Sequence, residues 1–137
     1  MNIPQTSLPR VVIVGGGFAG LALAKGLEKK DIQVVLIDKH NYHTFQPLLY
    51  QVATGGLEPD SIAFPIRKLF NDLQYYHFRL AEVIEVHSKK NEIETTIGNL
   101  AYDYLVLATG SKTNFFGNKN IEKYAMEMKS IPQSLNI

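Results

Sequence analysis

The chain has 137 residues, 14 basic against 13 acidic side chains, a net charge of +1 and a 45% hydrophobic fraction. That length and composition suit one globular domain with a real core, and the charge balance supplies no electrostatic pull towards nucleic acid or an anionic membrane. No cysteine is present, so disulfides, thiolate nucleophiles and cysteine metal sites are excluded within these residues.

Residues 1–9 read as a polar, proline-containing N-terminal tail without the apolar stretch of a signal peptide. No apolar run reaches the roughly 18 residues of a spanning helix. The segment RVVIV, 10–14, predicts a short buried strand halted by glycines. Residues 18–30 predict a helix with Leu21, Ala24 and Leu27 on one face and Lys29 and Lys30 at its negative end. QVVLID, 33–38, predicts a second buried strand, and its unbroken apolar run suits a parallel sheet covered on both faces.

Residues 39–60 form a long connection, too apolar for a solvated linker, with a short helix around 46–54. Pro65 suits the first turn of a helix carrying Ile66, Leu69, Phe70 and Leu73 inward. Residues 75–97 predict short antiparallel strands, with AEVIEVHS and NEIETTI joined by the turn KKN. YDYLVLATG predicts another buried strand ending in a glycine turn. A loop and a polar tail follow, and SIPQSLNI reads as the start of a further helix. The seven Tyr and seven Phe, set largely in apolar strands, read as core rather than as a stacking surface for bases.

The chemistry concentrates at three places. Gly15, Gly17 and Gly20 make G-x-G-x-x-G directly after a strand and opening a helix. In that context the first glycine allows the tight turn, the second lets backbone approach a pyrophosphate, and the third lets helix pack on strand. The helix N-terminus then favours the phosphate charge. A mononucleotide P-loop is not indicated, because Gly-Lys-Ser/Thr is absent. Asp38 ends the second strand roughly 20 residues on, where a carboxylate accepts ribose hydroxyls. Ala108, Thr109 and Gly110 end a third strand, and ligands of open α/β sheets bind outside such carboxyl ends. His40 and His43 have a turn spacing open to metal, but no third ligand accompanies them, so surface or packing roles are expected and no metal.

A glycine loop near the N-terminus, an acid ending the second strand, a β-meander and then ATG resemble the FAD domain of two-dinucleotide flavoproteins. The stretch NYHTFQPLLYQVATGGLEPDSIAFPIRKLF, with TNFFG, is similar to the type II NADH dehydrogenases, the single-subunit NADH:quinone oxidoreductases. The resemblance covers nearly the whole chain. It implies an α/β fold: a Rossmann-like FAD-binding domain with a parallel sheet and a small antiparallel meander, incomplete, over 10–117, with 118–137 leading onward.

The same resemblance places Gly15, Gly16, Gly17, Phe18, Ala19 and Gly20 around the FAD pyrophosphate, and Asp38 and Lys39 beside the adenosine ribose. It sets Val83 against the adenine, Ala108, Thr109 and Gly110 over the cofactor, and Pro47 and Thr54 towards the flavin ring. It assigns no catalytic side chain. Family members are longer, with a second glycine-rich unit for NADH, a later Gly-Asp motif and a C-terminal membrane anchor, so the chain is expected to be a fragment that is inactive alone. The parent is expected to take NADH and a quinone through other regions, to associate peripherally with the cytoplasmic side of the inner membrane, and to be open to homodimerisation. The fragment itself is expected to be soluble and not to bind nucleic acid. Alternatives are a flavin-dependent pyridine-nucleotide oxidoreductase with another acceptor, a non-catalytic nucleotide-binding fragment, or a plain NAD dehydrogenase. Thiol-relay chemistry is excluded where disulfide reductases carry it, since HTFQPLLYQVAT follows the second strand without cysteine.

Overall fold

The structure is a computed structural model describing residues 1–70 and 73–137. In chain order its elements are β1 (Arg10–Val14), α1 (Phe18–Gly26), β2 (Gln33–Asp38), β3 (Tyr42–Thr44), α2 (Leu49–Ala53) and β4 (Ala63–Pro65). Then come β5 (Tyr76–Leu80), β6 (Val83–His87), β7 (Glu92–Thr95), β8 (Leu100–Ala101), β9 (Tyr104–Leu107), α3 (Lys119–Tyr124) and α4 (Ile131–Leu135). The residues divide into two units, one of Met1–Tyr42 with Pro65–Gly110 and one of His43–Phe64 with Ser111–Ile137.

The first unit is built on a parallel sheet of order β5-β2-β1-β9. Its two inner strands explain the unbroken apolar runs. Val12, Ile13, Val34, Val35, Leu36 and Ile37 are fully buried, because each face of the sheet is covered. On one face Ile13, Val34 and Leu36 pack with Ala24 of α1 and with Ile66, Tyr76 and Phe78. On the other, Val12, Val35 and Ile37 pack with Ile3, Ala81, and Ile93 and Leu100 of the meander β6-β7-β8. Each such side chain contributes about 1.5–3 kcal/mol by leaving water.

The sequence expectation holds for β1, β2 and the meander and fails at four places. Residues 76–80 are not antiparallel: β5 runs parallel to β2, Val34 facing Tyr76 and Asp38 facing Leu80. The antiparallel pairing begins only at Val83. Alternation of side chains does not distinguish the two directions, which long-range pairing decides. Helix α1 stops at Gly26, short of Lys29, whose φ of 67° is left-handed and incompatible with continuation. Among the described residues Pro65 opens no α-helix, residues 71 and 72 of the expected one lying outside them. Pro65 is extended and ends β4, and a single 3-10 turn covers Ile66–Leu69. Ile66 is buried and Phe70 and Leu73 join its cluster, while Leu69 is exposed. Strand β9 is not buried either. It is an edge strand with β1 as its one partner, and Tyr104 and Leu107 are 63% and 62% exposed. The aromatic residues likewise divide: Tyr76 and Phe78 are core, whereas Phe116 is 89% exposed.

In the second unit β3 pairs with β4. Residues 46–48 form a 3-10 turn leading into α2, in line with the short helix expected there. Leu49 and Val52 of α2 pack with Ile62, Leu48, Leu57 and Ile131. The polar tail carries α3, capped by the Asn118 side chain, and α4, capped by Ser130. Among the described residues no helix is long and apolar enough to cross a membrane.

Candidate functional site: a glycine loop at the carboxyl edge of the sheet

Because β1, β2, β5 and β9 are parallel, their carboxyl ends share one edge. Gly15 leaves β1, Asp38 ends β2 and Ala108 follows β9 at that edge. The backbone stitches them together. Gly15 N–H donates to the Ile37 carbonyl at 2.8 Å, and Ala108 N–H donates to the Val14 carbonyl at 2.8 Å.

The glycines of the loop answer to different neighbours. Gly15 has φ +110°, and a Cβ on it would run into the Ala108 carbonyl oxygen. A Cβ on Gly20 would strike the Gly15 carbonyl oxygen, so the third glycine is what lets α1 close on β1. A Cβ on Gly16 would meet Ile66 Cδ1 at 2.5 Å and Asp38 Oδ2 at 3.3 Å. Gly17 differs: its φ of −77° is ordinary for any residue, and a Cβ there meets nothing within 4 Å. Neither a clash nor a positive φ requires glycine at 17. An approaching pyrophosphate does, and the residues present therefore fit a dinucleotide. Gly17 is the N-cap of α1, no side chain caps the helix there, and no acid stands in its first turn. Gly17, Phe18 and Ala19 are exposed on the outside of the loop.

Asp38 is the organising carboxylate. Its Oδ2 accepts the Gly16 N–H at 2.5 Å and its Oδ1 accepts the His40 N–H at 2.8 Å. The His40 ring places Nδ1 3.5 Å from Oδ1 and lies tilted against Tyr42. Lys39 and His40 are exposed beside it. Strand β5 leaves the sheet at the same level, Ala81 N–H donating to the Asp38 carbonyl at 2.9 Å, and Val83 follows two residues later opposite Thr95. Thr109 and Gly110 are exposed after β9, Gly110 with φ +73°. The first unit thus brings together the glycine loop, Asp38, Lys39 and Ala108–Gly110. Pro47 and Thr54 belong to the second unit, both exposed, with the Thr54 hydroxyl donating to the Tyr50 carbonyl at 3.0 Å.

Two features of the site escape a sequence reading. The His40 amide on Asp38 is an Asx-type turn, a form that an aspartate opening a turn can signal. The Ile66 contact with Gly16 crosses fifty residues and carries no local signal. Elsewhere in the first unit, Glu85, His87 and Glu94 cluster on the hairpin. His87 meets Glu85 through Nδ1 at 3.6 Å and Glu94 through Nε2 at 3.5 Å. Their ligand-type atoms lie within 4.8 Å of one another, with Glu85 exposed.

A strand, a glycine turn, a helix and an acid on the next strand, at the carboxyl edge of a parallel sheet, define a Rossmann-like dinucleotide-binding domain. The chain belongs to the pyridine nucleotide-disulphide oxidoreductase family, which it matches over residues 9–136. Membership makes the protein an FAD flavoprotein. The chain is 37% identical over 132 residues to the type II NADH:quinone oxidoreductase NdhA of Mycobacterium tuberculosis, covering 93% of this chain and 28% of that protein. It is 30% identical to the external alternative NAD(P)H-ubiquinone oxidoreductase B4 of Arabidopsis thaliana, over 93% of this chain and 24% of that one. Among solved structures, NDH2 of Plasmodium falciparum in complex with NADH superposes with a TM-score of 0.84 at 29% identity, over 94% of this chain and 28% of that one. The sulfide:quinone oxidoreductase of Aquifex aeolicus gives 0.85 at 28% identity, over 93% and 30%. The chain thus spans 24% to 30% of the length of these relatives.

Proposed function

We propose that this chain is the FAD-binding portion of an oxidoreductase that passes electrons from NADH through FAD to a membrane quinone. The observation that supports the cofactor site is the open space at Gly17, where neither a neighbour nor φ requires glycine and a close pyrophosphate would. The quinone acceptor rests on similarity to NADH:quinone oxidoreductases. When bound, FAD supplies the redox chemistry, and the protein holds and orients it.

In this reading the loop Gly15–Gly20 cradles the pyrophosphate with backbone and the start of α1. Asp38, with Lys39 beside it, takes the adenosine ribose. Val83 lies along the adenine, and Ala108–Gly110 close over the cofactor. Pro47 and Thr54 approach the flavin ring. The whole protein binds the membrane surface peripherally, and these 137 residues alone do not sustain turnover. They contain one G-x-G-x-x-G loop, and hydride transfer needs nicotinamide and flavin held together in near-attack geometry.

The test is NADH oxidation by the purified full-length protein, followed with a soluble quinone and, separately, with ferricyanide. Flavin that is reduced by NADH and reoxidised by quinone is the expected result. Reoxidation by ferricyanide but never by quinone removes the quinone assignment, and protein that takes up no flavin removes the whole reading. The 137-residue segment, given FAD, NADH and quinone, should not exceed free FAD.

A further inference from the structure

Among the described residues strand β5 has one partner in the sheet, β2, and so leaves its other edge free. Along that edge lies a cavity of about 190 Å³ lined by Arg67, Phe70, Tyr76, His77, Phe78 and Arg79. Its two guanidinium groups flank one residue. Arg67 lies over the Phe78 ring, 5.1 Å from its centroid. Arg79 donates through Nη1 to the Phe78 carbonyl at 2.9 Å and through Nη2 to the Asn2 carbonyl at 2.5 Å.

Both side chains are therefore held in place before any ligand arrives. Neither makes an ion pair among the described residues. Burial, and then the charge of Arg67, lower the pKa of Arg79. Burial, then Arg79 and Arg10, lower that of His77, whose Nε2 faces the Gln33 side-chain amide nitrogen at 3.5 Å. Tyr76, buried in the same wall, has a hydroxyl without a hydrogen-bond partner among the described residues.

Two like charges fixed beside one residue repel, and an anion set between them removes that repulsion. Guanidinium forks match the oxygens of phosphate in bidentate fashion. Two of them, without an ion pair among the described residues, match a dianion better than a single carboxylate. We propose that the free edge of β5 is a binding site for a phosphate-type dianion, gripped by Arg67 and Arg79 and separate from the dinucleotide loop.

The test uses the protein with excess FAD, so that the glycine loop is filled. Inorganic phosphate is titrated at constant ionic strength and followed by NMR of the Phe78 and His77 amides and the arginine side chains. A second arm measures sedimentation with phosphatidylcholine vesicles, with and without phosphatidic acid. Saturable phosphate binding identifies a free-phosphate site, and binding only to phosphatidic acid vesicles identifies a lipid headgroup. In either arm Arg67→Gln weakens binding about tenfold or more, given the strength of charge-assisted bonds. Arg67 is exposed, and circular dichroism of Arg67→Gln checks that the fold is kept. Arg79→Lys keeps the charge without the fork and falls between. No saturable binding in either arm, or binding unchanged in Arg67→Gln, overturns the proposal.

Discussion

Gly17→Val separates the needs of the fold from those of the cofactor. A Cβ at Gly17 meets nothing within 4 Å, and its φ of −77° suits an ordinary residue. Losing glycine at an N-cap costs a few tenths to about 1 kcal/mol, while reduced freedom in the unfolded chain returns about 0.4–1 kcal/mol. Cofactor-free stability should therefore change by less than about 1 kcal/mol, a few degrees in Tm at this size. The cofactor feels a larger change. If the side chain displaces the pyrophosphate from two loop amides, at about 1.5–3 kcal/mol for each bond to a charged group, FAD weakens a hundredfold or more. Gly20→Ala is the counterpart. Its Cβ would overlap the Gly15 carbonyl oxygen, so the backbone must shift, at about 1–3 kcal/mol, before any cofactor is added. Thermal unfolding without FAD and flavin-fluorescence titration read the two quantities separately. Wild-type FAD affinity in Gly17→Val, or a Tm as low as that of Gly20→Ala, would refute the assignment of Gly17 to the ligand.

Three further outcomes follow from other residues. Asp38→Ala should weaken FAD by at least the 1.5–3 kcal/mol typical of bonds to a charged acceptor, and an unchanged titration removes its ribose role. Leu36→Ala, at a fully buried position, should cost about 2–5 kcal/mol in a urea melt, and a loss under 1 kcal/mol would mean that the sheet is not covered on both faces. The folded pKa of His77 lies below its usual value, so the unfolded chain takes up the proton first as pH falls below about 6.5. His77 therefore adds nothing to pH dependence above that value and reduces stability below it. His77→Gln should lose less stability than wild type between pH 7 and pH 5, and equal losses in paired urea midpoints would show that the ring is not held neutral.

What could be read from the sequence was what is local. The run VVIV into glycines, and QVVLID closing on an acid, specify strand, turn and carboxylate within a few residues of one another. The parallel edge then brings Gly15, Asp38 and Ala108 together, as three strand ends in one sheet must be. What could not be read depends on distant partners. HFRL carries no mark of its parallel pairing with VLID. YLVL has the composition of an inner strand and stands at an edge, since burial is set by how many strands flank it. Pro65 looks like a helix start, yet the Ile66 amide donates to the Asn41 carbonyl at 3.0 Å, and that long-range bond holds the segment as a strand end and one turn. The roles of Gly15, Gly16 and Gly20 divide by which neighbour each would strike, and those neighbours come from β9, from Ile66 and from the loop itself.

In the proposed pose Asp38 would tie the order of the loop to recognition of the ribose, and the count of its lone pairs bears on how one side chain could do both. A carboxylate offers about four acceptor positions. Backbone amides of Gly16 and His40 take two of them, and the His40 ring Nδ1 stands 3.5 Å from Oδ1. In the proposed pose the remaining positions take the ribose hydroxyls. The Gly16 amide is thus committed to shaping the loop rather than to the phosphate, and the phosphate falls to the backbone beyond it, where Gly17 leaves room. Asn at this position cannot substitute: its single carbonyl oxygen can satisfy one amide, and its NH2 then faces the other donor. Asp38→Asn should therefore lose FAD affinity through the loop as well as the ribose, with no gain over Asp38→Ala. An acid that closes the loop before the cofactor arrives also lowers the ordering cost of binding, which places preorganisation and recognition in the same carboxylate.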